Sequence, residues 1–392
     1  MDNFTEKEIM EMIQKDNTPR ENKIETSKKL NTNENIRNLL IVGCGDGGCH
    51  IASDIGKAMS DSFIIAYNTS ERTINDIQAD IRILADGQDG SGKVRDFSKD
   101  IFKQNSYKYL LDKVKEACNE TVYEYIFVCS TADGGTGSGM SPMAAKMLAD
   151  NTDIPVILLG VYPSLNDDAT AQFNAMQWQV ECTKIGLPYM IYDNNQNGSK
   201  KEVHEQVNTQ ISNMARLISG NLYGNHVVSI IDNRDMYMLL QHVGGRIVCG
   251  TSTIRPTTNE TLDEYVEKMI TTNCQPLPAN IGGIGIFLKG PKDIIDRLDP
   301  SIPNIRDKYG DAAVHYQHIE YDNELRISFI FSGNDEPEER LFKMKDRYDY
   351  VMSNQKSKAI FSDMMSEQMG NPLGLLKDKK LKNEIDLSAL DI

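Results

Sequence analysis

Residues 123–149 read YEYIFVCSTADGGTGSGMSPMAAKMLA. An apolar run ends in a loop holding four glycines, and that loop runs straight into an apolar-periodic helix. A strand apolar on both faces has to be covered on both sides, and a helix directly after it is the way parallel sheets achieve this. The same alternation recurs along the first half of the chain. IRNLLIVG reads as a buried strand followed by a helix over HIASDIGKAM. SFIIAYN is a second strand, residues 84–98 a glycine-rich loop and 100–119 a helix. YEYIFVCS is a strand with a helix over 140–150, IPVILLGVY a strand with a helix over 169–184, and YMIYDN a strand. The pattern predicts an α/β fold with a doubly wound parallel sheet.

A long helix then starts at residue 202, with Val203, Val207, Ile211, Met214 and Ile218 on one face, and runs to about 224. Beyond it GGIGIFLKG, AVHYQHIEY and LRISFIFSG alternate as strands, with a helix near 292–298, which predicts a smaller α+β domain. A second long helix covers 336–369, with Leu341, Met344, Tyr348 and Val351 on one face. The predicted organisation is an N-terminal extension (1–36), an α/β domain (37–201), a central helix (202–228), a C-terminal domain (229–335), the C-terminal helix (336–369) and a flexible tail (370–392). The extension reads as a short amphipathic helix through Ile9, Met12 and Ile13 and then a flexible lead-in.

Charge and cysteine usage narrow the setting. The net charge of −15 argues against nucleic-acid binding through the bulk surface, because phosphate affinity needs Lys and Arg. A link to DNA would need a local basic patch or an adaptor protein. The seven cysteines form no CxxC pair, and Cys44, Cys129 and Cys249 lie in or beside apolar runs. They read as free buried thiols of a reducing, cytoplasmic compartment. The opening MDNFTEKEIMEMIQKD is too charged for a signal peptide, and no apolar run approaches the ~18 residues of a membrane span.

Three glycine-rich loops carry the chemistry. Gly43-Cys-Gly45-Asp46-Gly47-Gly48 follows a strand and opens a helix, so backbone can approach phosphate at a helix N-terminus. The motif alone also suits a dinucleotide-binding oxidoreductase, which expects an acid at the end of the second strand; Asn68 stands there instead. Gly87 to Val94 matches GxxxxGK, but Val94 replaces the metal-binding Ser or Thr of a P-loop. With no clean strand before it and RDFSKD after it, this stretch reads as a surface loop or as one ring of a larger phosphate site. The third loop is Asp133-Gly134-Gly135-Thr136-Gly137-Ser138-Gly139. It offers a wrap of N–H and O–H donors at a helix start, and a side chain at Gly137 would occupy the space where backbone meets phosphate.

GGTGSG before a helix resembles the signature of the tubulin/FtsZ superfamily, and the order of the other segments agrees. Gly43–Gly48 resembles the first phosphate loop, Ala66-Tyr-Asn68-Thr69 the end of the second strand, and Gly90-Ser91-Gly92 with Lys93 the loop that follows. Met190 to Asn194 resembles the segment whose Asn recognises guanine. Ile231-Asp232-Asn-Arg-Asp235-Met resembles the loop that reaches the neighbouring subunit's nucleotide. Departures are Asp133 in place of the first glycine, which brings a negative charge toward phosphate, and Ala171 where FtsZ has an arginine. Asp167 or Asp168 keeps an acid for ribose hydroxyls. The resemblance implies a GTP/GDP-binding, GTP-hydrolysing protein that works with Mg²⁺ and polymerises head to tail with itself. The resemblance implies that Asp232 and Asp235 act in trans on the γ-phosphate; as residues alone they read first as solvated turn acids or helix caps. Asn194 would read the base, with Asn208 and His204 on the central helix as further base contacts or simply as an exposed face. The 336–369 helix and the tail lysines (Lys377, Lys379, Lys380, Lys382) are similar to the TubZ-type tubulins of plasmids and phages. That implies DNA positioning through a DNA-bound adaptor, with no direct nucleic-acid or membrane contact. A division filament of the FtsZ kind, and a polymer that barely hydrolyses its nucleotide, are the alternatives. No histidine has ligand spacing, so no structural metal is expected.

Overall fold

The computed structural model describes residues 20–21, 37–59, 61–85, 90–220, 222, 231–242, 245–255, 260–310, 313–320, 324–334 and 338–368. The expected N-terminal amphipathic helix and the lysine-bearing tail lie outside these residues. In chain order the strands are β1 (Arg20–Glu21), β2 (Leu39–Cys44), β3 (Ser62–Asn68), β4 (Ile81–Leu84), β5 (Tyr125–Thr131) and β6 (Val156–Tyr162). They continue as β7 (Tyr189–Asp193), β8 (Arg246–Ile254), β9 (Asn280–Gly290), β10 (Ala313–Glu320) and β11 (Leu325–Asn334). The helices are α1 (Gly45–Ala58), α2 (Glu71–Asn75), α3 (Arg95–Ile101), α4 (Tyr107–Glu120), α5 (Thr136–Asn151) and α6 (Ala169–Ile185). After these come α7 (Lys200–Ser219), α8 (Asn233–Tyr237), α9 (Leu262–Thr271), α10 (Lys292–Leu298), α11 (Ile302–Tyr309) and α12 (Glu338–Gln368).

One sheet runs through the molecule in the order β1-β4-β3-β2-β5-β6-β7-β8-β11-β9-β10. From β4 to β7 every pairing is parallel, with Ile41 of β2 opposite Ile64 of β3 and Phe127 of β5. The predicted doubly wound sheet is therefore present. Its strands are apolar throughout because both faces are covered: Leu39, Ile41, Phe127 and Leu159 face one core, and Leu40, Val42, Ile126 and Leu158 the other. The chain reverses its direction of winding between β2 and β5. In open α/β sheets that switch point, at the carboxyl ends of the strands, is where ligands bind.

The central helix α7 begins on a capping box, Ser199 with Glu202, and ends at Gly220, whose φ of 84° is left-handed. That cap stops the helix at Ser219, short of the 224 expected from the apolar spacing, while Val203, Val207, Ile211, Met214 and Ile218 all face inward. The strands of the second half do not form a separate sheet. β8 joins β7 in parallel at Tyr189 and Arg246, and β11 pairs antiparallel with both β8 and β9. β4 and β8 escape the sequence pattern because β4 is four residues long and β8 turns polar after Gly250. In α12, Met344 and Tyr348 are buried, and Tyr348 meets Phe173 of α6 with ring centroids 5.6 Å apart. Within the lead-in expected to be flexible, β1 pairs antiparallel with β4.

Candidate functional site

The first and third glycine loops follow β2 and β5, the two strands on either side of the switch point. Gly45 has φ +70°, and a Cβ there would stand 2.5 Å from the Gly137 nitrogen. A Cβ on Gly137 would stand 2.6 Å from the Cys44 carbonyl oxygen. These two glycines let the loops pack backbone to backbone, so the missing side chain of Gly137 makes room for Cys44 and not for a phosphate. Gly43, Gly47, Gly48, Gly135 and Gly139 are likewise backed by protein: by Gly48, Thr131, Cys129, Ser91 and Arg95 respectively. Gly134 differs, since the nearest atom to a Cβ there would be Thr131 Oγ1 at 3.8 Å, and Gly90 and Gly92 open onto free space. These three form the open rim.

The hydroxyls of the third loop turn inward. Thr136 Oγ1 lies 2.8 Å from Thr69 Oγ1 and donates to Ser91 Oγ at 3.0 Å, which fastens three loops at one point. Ser138 donates to the Gly134 carbonyl and accepts from Arg95 Nε at 3.1 Å. The first turns of α1 and α5 also carry backbone N–H groups that have no intrahelical acceptors. The hydroxyls of Thr136 and Ser138, expected to face phosphate, are engaged within the protein in this structure.

The residues behind the loops were not found from the sequence. Asn174 of α6 is buried, and its Nδ2 donates to the carbonyls of Lys93 (3.1 Å), Asp133 (3.1 Å) and Gly134 (3.2 Å). Arg95 is buried and bonds Ser138 O (2.9 Å) and Glu181 (2.6 Å), and Lys99 also pairs with Glu181. Residues 169–185 mix polar and apolar side chains, so nothing local sets Asn174 apart from Gln172 or Gln179. Ser91 and Lys93 of the GxxxxGK stretch are clasped into the same ring. β4, which the sequence did not show, ends at Leu84 before it, and the seven-residue α3 starts at Arg95 after it; as expected, that segment is not an apolar helix. Lys93 has φ 64° and pairs with Asp168 at 2.5 Å; its ammonium holds that carboxyl below the usual range. Asp168 also caps α6 by accepting from Ala171 N at 2.8 Å.

Asn68 is buried with its amide engaged internally: Nδ2 donates to Thr73 Oγ1 (2.7 Å) and Oδ1 accepts from Thr69 N (2.8 Å). It shapes the turn after β3. Asp167 accepts from Ser164 N at 2.9 Å and lies 3.7 Å from Lys200. Asp46 is exposed in the first turn of α1, 3.7 Å from His50, and Asp133 is half-buried. Burial pushes the Cys44 thiol far up, so it stays protonated beside the first loop.

At the end of β7, the Asn194 N–H donates to Tyr162 O at 3.1 Å, and its side-chain Oδ1 is buried without a hydrogen-bond partner. A buried acceptor of this kind calls for a donor. On α7, His204 is exposed, whereas Asn208 Nδ2 donates to Asp54 of α1 at 3.0 Å. One N–H of Asn208 is thus engaged by α1, and this bond leaves its Oδ1 untouched.

Asp232 and Asp235 stand at the other end of the sheet. Asp232 is exposed and caps α8, its Oδ1 accepting from Asp235 N at 2.7 Å. The preceding Ile231 carbonyl accepts from buried Arg37 at 3.1 Å. Arg37 Nη1 also reaches Ile218 O (3.3 Å), and its backbone N–H bonds Ser219 O (2.8 Å). Arg37 lies just before β2 and the first glycine loop just after it, so a six-residue strand of ~20 Å separates the carboxylates from the glycines. One chain does not bring them together. Exposed apolar side chains mark both ends: Val94 and Phe97 beside the glycine loops, Val122 and Tyr237 at the Asp232 end.

Among the described residues no group of three or more His, Cys, Asp or Glu side chains could cage a metal, and no helix is long and apolar enough to cross a membrane.

Residues 38–197 match the family described as "Tubulin/FtsZ family, GTPase domain". Among curated proteins the chain is similar to tubulin-like protein CetZ2 of Haloferax volcanii, 21% identical over 335 residues that span 79% of this chain and 91% of that one. Among solved structures it is similar to TubZ of Bacillus thuringiensis serovar israelensis in a GTPγS-form protofilament. The TM-score is 0.70 at 19% identity, over 84% of this chain and 95% of that one. CetZ from Methanosaeta thermophila superposes with a TM-score of 0.67 at 16% identity, over 85% and 96% of the two chains. The fold is that of the tubulin/FtsZ proteins, with TubZ among its structural neighbours.

Proposed function

From the premise that residues 38–197 are a GTPase domain of the tubulin/FtsZ family, we propose that the chain binds GTP at the switch point, polymerises head to tail and hydrolyses GTP at each contact. The observation that carries this reading is the separation of the two half-sites by the length of β2. Glycine loops at one end and Asp232 with Asp235 at the other meet only when one molecule stacks on the next. Such a contact is heterologous and does not close, so it generates a filament. The apolar side chains at both ends supply surface for it.

In this reading the N–H groups at the starts of α1 and α5 bind the phosphates, and the Gly90, Gly92 and Gly134 rim leaves them room. Asn194 Oδ1 accepts from guanine, whose ring N–H and amino group are donors. Asp167 or Asp168 meets the ribose. Mg²⁺ suits a phosphate-bound mode in which it keeps several waters, with Asp46 and Asp133 the nearest loop carboxylates. It would supply charge neutralisation on the phosphates. From the incoming molecule, Asp232 shapes the loop through its cap on Asp235 N, and Asp235 orients the attacking water. Phosphoryl transfer asks mainly for such positioning. A dinucleotide oxidoreductase fits less well, because the residue at the end of β3 is Asn68, with its amide already engaged.

The biological use we propose is positioning of plasmid or phage DNA through an adaptor that docks on the tail after α12. The test of the shared site is kinetic. GTP hydrolysis per molecule should rise with protein concentration, in step with GTP-dependent pelleting. A specific rate that stays flat from dilute to concentrated protein contradicts it.

A further inference from the structure

The turn that carries Asn194 is held from outside the nucleotide-binding half of the chain. Arg340, in the first turn of α12, donates from Nε to Asp193 Oδ2 at 2.6 Å and from Nη2 to Asp193 Oδ1 at 3.0 Å. Nη2 also reaches the Pro163 carbonyl at 2.5 Å, and the guanidinium lies over the Tyr162 ring, 5.8 Å from its centroid. Both partners are about nine-tenths buried. Asp193 is the last residue of β7, and the chain folds around it. Its Oδ1 accepts from Asn195 N at 2.9 Å, its carbonyl accepts from Gln196 Nε2 at 3.1 Å, and its own N–H donates to Cys274 O at 2.8 Å. Asn195 Oδ1 in turn accepts from Leu165 N at 3.1 Å, which ties the turn to the loop after β6. Between these anchored residues sits Asn194, whose buried Oδ1 has no partner.

A fork-shaped guanidinium on a carboxylate fixes orientation as well as charge, which a lysine ammonium does not. We infer that Arg340 is a positioning residue for base selection: by locking Asp193 it sets the 193–196 turn, so that Asn194 Oδ1 is aimed at a purine's donor groups and the seat of α12 governs how strictly guanine is chosen. This rests on the reading of Asn194 as the base contact. Arg340 touches no nucleotide in this account. It acts through Asp193, so its loss changes discrimination and not the grip on phosphate. The exocyclic amino group of guanine is the donor at stake. Inosine nucleotides lack it and are otherwise alike, which makes them the probe.

The experiment measures the affinities of the full chain for GDP, IDP and inorganic pyrophosphate in wild type, Arg340→Lys, Arg340→Ala and the double variant Arg340→Met with Asp193→Asn. The double variant removes both charges and avoids a lone buried ion, so a folded protein is available if Arg340→Ala melts. Wild type should prefer GDP over IDP by ~10-fold or more, the scale of one positioned hydrogen bond. Arg340→Ala and the double variant should lose most of that preference, Arg340→Lys part of it, with pyrophosphate affinity changing less than ~2-fold in each. A wild type that prefers GDP beside folded variants that prefer it equally overturns the role of Arg340 and leaves the base contact standing. A wild type that does not discriminate GDP from IDP overturns the contact between Asn194 Oδ1 and the exocyclic amino group, and the role of Arg340 in choosing guanine with it.

Discussion

Replacing Asp235 by alanine should leave GTP binding intact and lower hydrolysis by ~10²-fold or more, a barrier rise of ~3 kcal/mol. Binding survives because the glycine loops lie at the far end of β2 from this residue. Assembly survives because the contact forms before any chemistry. The filaments should then persist, and small fractions of the variant mixed into wild type should slow turnover beyond their share, since each altered loop silences its neighbour's GTP. Asp232 is a less clean probe: its carboxylate caps α8 on Asp235 N, and losing such a cap costs ~1 kcal/mol and loosens the loop. Steady-state hydrolysis and GTP binding measured on the same folded Asp235→Ala preparation check the claim. Wild-type turnover, or loss of GTP binding, removes this loop from the reaction.

Valine at Gly134 should reduce GTP affinity by ~10²-fold or more without unfolding the protein. The position is open, its φ is not left-handed, and a Cβ meets nothing closer than 3.8 Å, so the added branches stand in the rim above the first turn of α5. They would displace phosphate from backbone donors, and each hydrogen bond to a charged group is worth ~1.5–3 kcal/mol. Gly137→Val behaves differently, because its Cβ runs into the Cys44 carbonyl at 2.6 Å. Overpacking between two backbones costs ~1–3 kcal/mol or more. Both variants should lose GTP, but only Gly137→Val should also lower the melting temperature of the nucleotide-free protein. Equal melting temperatures for the two would contradict this division of the glycines.

What the sequence made legible is periodic or local. The βαβ alternation gave the sheet, the 3.6-residue spacing gave the inward faces of α7 and α12, and the strand–glycine–helix context placed the loops at the carboxyl ends of β2 and β5. What it hid depends on contacts between distant segments. Seven glycines looked like positions where a side chain would block phosphate, yet at Gly43, Gly45, Gly47, Gly48, Gly135, Gly137 and Gly139 a Cβ would meet a neighbouring backbone or side chain of the protein itself. Thr136 and Ser138 read as donors to a ligand because nothing local reveals Ser91, Thr69 or Arg95 behind them. Asn208 read as a base contact or as part of an exposed face, and nothing local shows that Asp54, 154 positions away, accepts from its Nδ2. The Arg340–Asp193 pair joins residues 147 apart, and neither is unusual on its own.

The central claim, that two molecules share one active site, is tested most directly by mixing two inactive proteins. Gly134→Val molecules cannot load GTP but keep Asp232 and Asp235; Asp235→Ala molecules load GTP but bring no working loop. Where the nucleotide end of an Asp235→Ala molecule meets the Asp232 end of a Gly134→Val molecule, a complete site forms. An equimolar mixture should hydrolyse GTP well above the summed rates of the two proteins alone, with the excess growing with concentration. A mixture that gives only the sum at every concentration would show that the carboxylates and the glycine loops do not serve each other across a contact.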